Sequence, residues 1–125
     1  MVTILLSIKP EYVERIFEGT KRFEFRRRLA AKTINKIVIY STSPVMEVVG
    51  EVAVVDAIST SPIMLWEQTK DNAGISREKF LEYFDGCQHA SAYKLGEITK
   101  YFESKKLSDF NIHQAPQSFV YLFSE

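Results

Sequence analysis

Apolar positions along this chain fall into short blocks of two different periods, and proline and glycine mark the breaks. Thr3 to Ile8 is a nearly continuous apolar run, read as a first strand. Pro10 follows, at a first helical position where the missing N–H would be unpaired anyway. Tyr12, Val13, Ile16 and Phe17 then recur at i, i+1, i+4 and i+5, the buried face of a short helix that Gly19 ends. From Lys21 the period changes to two. Lys21, Phe23, Phe25 and Arg27 share one face of a second strand, and Arg22, Glu24, Arg26 and Arg28 share the other. Two aromatics are thus expected in the core, with a ladder of guanidinium groups flanking Glu24 outside. Lys21 and Glu24 fall on opposite faces.

Lys36 to Ser41 reads as a third strand, and Thr42-Ser43-Pro44 as a turn. Val45 to Ser59 is β-rich throughout, with Gly50 marking a bulge or a close backbone approach. Ser61-Pro62 opens a helix carrying Ile63, Trp66 and Thr69, which stops near Asn72 to Gly74. Ser76 caps another, with Phe80, Leu81 and Phe84 on one face and Gly86 at its end. His89 to Leu95 and Thr99 to Glu103 read as two strands, Leu107 to Phe110 as a helical turn, and Ser118 to Phe123 as a last strand. The total is six or seven strands with three short helices inserted. Connections this short favour a mixed or antiparallel sheet, so an α+β fold built on a small closed barrel is expected.

At 125 residues, with 46 % hydrophobic positions, residues 1–125 are expected to form one domain. Net charge is zero, but its distribution is uneven. Residues 1–36 hold nine Lys and Arg against four Glu, whereas residues 37–125 hold seven against twelve acidic residues. A basic end on a neutral chain makes a local anion site without making the whole surface sticky. Cys87 is the only cysteine, so no disulfide can form within the chain, and a reducing cytoplasm is the expected compartment. No run approaches the ~20 apolar residues of a membrane helix.

The candidate chemistry centres on that basic end. Arg presents a planar fork of donors that matches phosphate oxygens, which points Arg26 and Arg27 at a phosphate-bearing ligand. Glu24 and Arg26, two apart on one face, are placed to pair. Lys9 lies at the start of the first helix, where backbone N–H groups favour an anion, and Ser7 adds a hydroxyl. Tyr40, Ser41 and Ser43 follow a strand end suited to base stacking and hydroxyl hydrogen bonds. Gln117 and Ser118 open the last strand, where an amide can read a base edge. Trp66 is expected in the core. His89 and His113 have no visible partner, no Cys/His group has metal spacing, and no glycine-rich phosphate loop or G-x-S-x-G is present. No cofactor or metal is therefore expected.

Ser7-Ile8-Lys9-Pro10, a short helix, and then Gly19-x-Lys21-x-x-Glu24-x-Arg26 resemble the ASCH domain, a branch of the PUA-like barrels. Tyr40-Ser41-Thr42-Ser43-Pro44, Gly50-Glu51 and Pro116-Gln117-Ser118-Phe119 fit the same group, so the resemblance spans nearly the whole chain. It implies a PUA-like barrel with a cleft beside the first helix and second strand, binding RNA or a modified nucleoside. One branch of that family comprises amidohydrolases acting on N4-acetylcytidine. There the lysine matching Lys21 serves as base, and a threonine nucleophile stands where this chain has Glu24.

Three readings follow. In the first, the chain binds RNA or a modified nucleotide, with Lys9, Lys21, Arg26 and Arg27 on phosphate, Glu24 positioning Arg26 or taking a base amine, and Tyr40, Gln117 and Ser118 at the base end. In the second it is a metal-independent hydrolase, in which either Lys21 and Glu24 activate water against an N-acyl nucleoside, or Lys, Tyr and Ser groups of the cleft cut single-stranded RNA. In the third, the basic strand is an edge that meets a regulatory protein.

Overall fold

The structure is a computed structural model and describes residues 1–123. A six-stranded mixed sheet runs in the order β2-β5-β4-β3-β1-β6. Strand β1 is Thr3–Ile8, β2 Phe23–Arg26, β3 Lys36–Ser41, β4 Glu47–Thr60, β5 Ala90–Lys105 and β6 Phe119–Leu122. Helix α1 is Pro10–Glu18, α2 Pro62–Thr69 and α3 Arg77–Tyr83, with 3-10 turns at Lys70–Asn72 and Leu107–Phe110. Only β1 and β3 pair in parallel, joined through α1 and β2; the other ladders are antiparallel.

The sheet curls without sealing. β2 and β6 end the ladder and are not paired with each other, so the expected closed barrel is a half-barrel with an open seam. What crosses the seam is a side chain: Arg26 Nη2 donates to the Ser7 carbonyl at 2.8 Å. The two late strands expected at 89–95 and 99–103 are one long strand, β5. Bulges against β4 absorb its curvature, so the ladder continues where the side-chain pattern breaks near Gly96-Glu97. Gly50 shows the expected close approach: a Cβ there would lie 2.5 Å from the Thr99 carbonyl and 2.8 Å from Phe17 Cζ.

Three apolar clusters fix this shape. Ile4, Leu6, Ile8, Ile37, Ile39 and Val52 pack the inside of the curl against Val13 and Ile16 of α1. Leu5, Val38, Tyr40 and Val48 pack the outer face under the 107–112 segment. Phe23, Phe25, Phe80 and Phe84 join β2 to the helical insert, with Phe80 edge-on to Phe25 at 5.1 Å. Trp66 is half-buried against Phe80, ring centres 5.1 Å apart. The insert is therefore anchored on β2 and stands over the seam.

Candidate ligand cleft

Helix α1 delivers the first functional side chain by the way it ends. Gly19 takes a left-handed conformation (φ 85°), and the Thr20 and Lys21 amides then both donate to the Arg15 carbonyl at 3.0 Å. The Arg22 amide bonds the Asn72 carbonyl instead of a strand neighbour, so β2 starts only at Phe23. Lys21 is thus outside the strand, and the period-two reading that separated it from Glu24 does not apply. Both side chains line one cleft in the seam.

The cleft has a volume of about 590 Å³. Ser7, Ile8 and Lys9 at the end of β1 form one wall, and Glu24, Phe25 and Arg26 of β2 form another. Glu11 and Tyr12 close it from α1, Lys79, Glu82 and Tyr83 from α3, and Ile75, Thr42 and Gln117 from loops.

Its floor carries charge out of water. Lys21 is 2 % exposed and Glu24 6 % exposed, so Glu24 does not face outward as expected of it. Lys21 Nζ donates to the Ala73 carbonyl at 3.0 Å and sits over the rings of Phe25 (4.7 Å) and Tyr12 (5.2 Å). Burial pushes the Lys21 ammonium below the ordinary lysine range; Glu24 opposes this, while Arg15 and Arg26 add to it. Burial likewise raises the Tyr12 phenol, with Glu11 adding to the effect.

Two buried polar atoms of the floor have no partner: Glu24 Oε2 and Arg26 Nε. The ion pairs among the described residues are Lys36–Glu51, Lys70–Glu67 and Lys79–Glu11, so the expected Glu24–Arg26 pair is not formed. Among the described residues nothing completes either atom, and a buried carboxylate oxygen or guanidinium N–H left so is costly. The cleft floor thus holds one unpaired acceptor and one unpaired donor.

The rim is exposed and mixed in charge. Lys9 is exposed at the head of α1, and Lys79 lies 3.9 Å from Glu11 across the mouth. Arg27 stacks its guanidinium on Tyr83 at 4.4 Å and donates to the Tyr83 carbonyl at 3.1 Å.

A family model of the ASCH domain matches residues 6–114. This chain belongs to the ASCH domain family. It is 31 % identical over 126 residues to the ASCH domain-containing ribonuclease of Zymomonas mobilis, covering 97 % of this chain and 84 % of that protein. The crystal structure of ASCH from Zymomonas mobilis superposes with a TM-score of 0.88 at 28 % identity, covering 97 % of this chain and 87 % of that one. The chain is also 32 % identical over 121 residues to ATP synthase subunit alpha of Ureaplasma parvum, of whose length it spans 15 %. The fold is the PUA-like α+β arrangement, in its curled half-barrel form.

Of the residues singled out in the sequence, the ASCH cleft gathers Ser7, Lys9, Lys21, Glu24, Arg26 and Gln117, and Arg27 reaches its rim through Tyr83. The Ser7 hydroxyl is already engaged, donating to the Pro116 carbonyl at 2.7 Å. Tyr40 and Ser41 are not in the cleft. They are 4 % and 2 % exposed, and Tyr40 packs with Leu5, Val38 and Val48 on the outer face, because β3 continues under β4 to Ser41. Ser43 is exposed in the following turn, outside the cleft, and Thr42 lines it instead. Ser118 lies outside the cleft too, its carbonyl accepting from the Ser7 amide at 3.0 Å. Sequence reasoning missed the α3 wall of Lys79, Glu82 and Tyr83. Phe80 and Phe84 were legible as its core face, but Leu81, expected beside them, is exposed while Tyr83 packs on Phe84, and nothing local says which strand that helix covers.

Proposed function

We propose that this ASCH domain binds RNA by taking an unpaired base into the seam, polar edge first, with the flanking phosphates at the rim. The observation that carries this reading is the pair of unpartnered atoms on the floor. A phosphate there would meet the buried Glu24 carboxylate, whereas a nucleobase edge offers an N–H to Glu24 Oε2 and an acceptor to Arg26 Nε together. The half-buried Tyr12 supplies a ring on the cleft wall for stacking, and Lys9, Lys79 and Arg27 stand at the rim for phosphate. The ribonuclease of Zymomonas mobilis supports RNA as the polymer.

Fluorescence anisotropy with single-stranded RNA oligomers tests the reading. Lys21→Ala and Arg26→Ala weaken binding at every salt concentration. Lys9→Ala and Lys79→Ala each reduce the salt slope by up to about one. Unchanged affinity in both floor variants overturns the assignment.

A second reading makes the same cleft hydrolytic. Burial favours the neutral amine of Lys21, as a general base requires, and Glu24 lines the same cavity. Turnover of single-stranded RNA or N4-acetylcytidine, followed by mass spectrometry and lost in Lys21→Ala, distinguishes a hydrolase from a binding module.

A further inference from the structure

Lys21 is held from outside the cleft as well as from within it. Three consecutive carbonyls of the turn between α2 and α3 accept hydrogen bonds from the Lys21 neighbourhood: Asn72 from the Arg22 amide at 2.8 Å, Ala73 from Lys21 Nζ at 3.0 Å, and Gly74 from Arg15 Nη1 at 2.8 Å. The turn presses close. Gly74 has φ 65°, and a Cβ on it would collide with Lys21 Cβ. Arg15 closes the arrangement on both sides, since its own carbonyl accepts the Thr20 and Lys21 amides. Its side chain does not line the cleft; the guanidinium lies 5.5 Å from the centre of the Tyr12 ring.

We infer that Arg15 is a positioning residue, which clamps the 72–74 turn onto Lys21 and so sets where the ammonium points and how readily it holds its proton. The inference rests on the reading of Lys21 as a ligand-facing group. It goes further in making the helical insert, through one turn, part of the control of that group. Removing the Arg15 side chain takes away a cation near Lys21 and frees the turn to admit water, and both effects favour the protonated amine. The other charged or titratable groups of the cleft are Lys9 at the head of α1, Glu11 and Tyr12 from α1, Glu24 and Arg26 from β2, and Lys79, Glu82 and Tyr83 from α3. All of them stay in place in the variants below.

The test is an NMR titration of the full chain carrying 13Cε-lysine, with the Lys21 resonance assigned by its absence in Lys21→Arg. In the unsubstituted protein Lys21 titrates below the other lysines. In Arg15→Gln its midpoint rises toward theirs by about half a pH unit or more. Arg15→Lys keeps the charge but not the planar fork and moves the midpoint up by less. A midpoint that stays put or falls in either variant, while the spectrum shows a folded chain, overturns the inference; if Arg15→Gln does not fold, Arg15→Lys decides. The titration is read without RNA, so it stands or falls separately from the proposed ligand.

Discussion

Two partly or wholly buried carboxylates lie two strands apart in this sheet, Glu51 on β4 and Glu24 on β2, and their surroundings differ in kind. Glu51 is finished. Lys36 Nζ lies 2.9 Å from Glu51 Oε2, and the Tyr101 hydroxyl donates to Oε1 at 2.9 Å. Burial works to raise the Glu51 carboxyl, but the hydrogen bonds from Lys36 and Tyr101 outweigh it and hold the group below its ordinary range. Burial together with that same bond pushes the Tyr101 phenol far up. Glu24 is more deeply buried and has an oxygen with no partner at all. A satisfied carboxylate belongs to the architecture, whereas an unsatisfied one keeps its capacity for something that arrives.

The largest expected effect separates them by ligand. Glu24→Gln lowers RNA affinity about tenfold or more, as loss of a charged acceptor would. The same change leaves stability to urea unchanged or improved, because a buried carboxylate with an unpartnered oxygen and no salt bridge among the described residues has been removed. If Glu24→Gln binds RNA normally and unfolds more easily, the contrast between the two carboxylates collapses.

A smaller effect, of opposite kind, is expected at the other site. Glu51→Gln costs about 1 kcal/mol or less, since both partners are partly exposed, and leaves RNA binding alone. The pH dependence follows from the sign of the shift. The folded carboxyl is depressed, so its contribution is present above the ordinary value of 4.5 and is lost as pH falls through the folded midpoint. Urea unfolding between pH 6 and about pH 3 therefore loses stability more steeply with Glu51 than with Gln at this position.

The smallest effect lies at alkaline pH. Lys21 is depressed in the folded state, so the unfolded chain binds its proton more readily. Stability thus rises with pH between the folded midpoint and the ordinary value of 10.5. Lys21→Met abolishes that rise, measurable as a flattened stability profile.

What the sequence made legible was local. β1 and β3 have the bounds expected for them, and α1 begins at Pro10 and stops at Gly19, because an apolar run, a proline and a left-handed glycine act within a few residues of themselves. Lys9 reaches the cleft for the same reason, standing at the head of α1. Facts that depend on distant chain were hidden. The Asn72 carbonyl delays β2 and turns Lys21 toward Glu24, and no pattern at residues 21–28 records it. Tyr40 reads as a strand end but is buried, because β4 pairs Val48 with it across a bulge. The unity of β5 was masked by Gly96 and Glu97, the extra residues of a bulge against β4, where the register shifts but the strand runs on.

The seating of β6 on β1 also sets an order of events. The Ser7 wall of the cleft takes its shape from the Pro116 carbonyl, a contact spanning 109 positions, and from the Ser118 carbonyl beside it. During synthesis the first strand therefore emerges with its outer edge bare and keeps it so until almost all of the domain has followed. Contacts of such long sequence separation are late and slow to form. A nascent chain that stops short of Pro116 accordingly lacks the contacts that fix the Ser7 wall, and the cleft takes its final shape only as the domain completes itself.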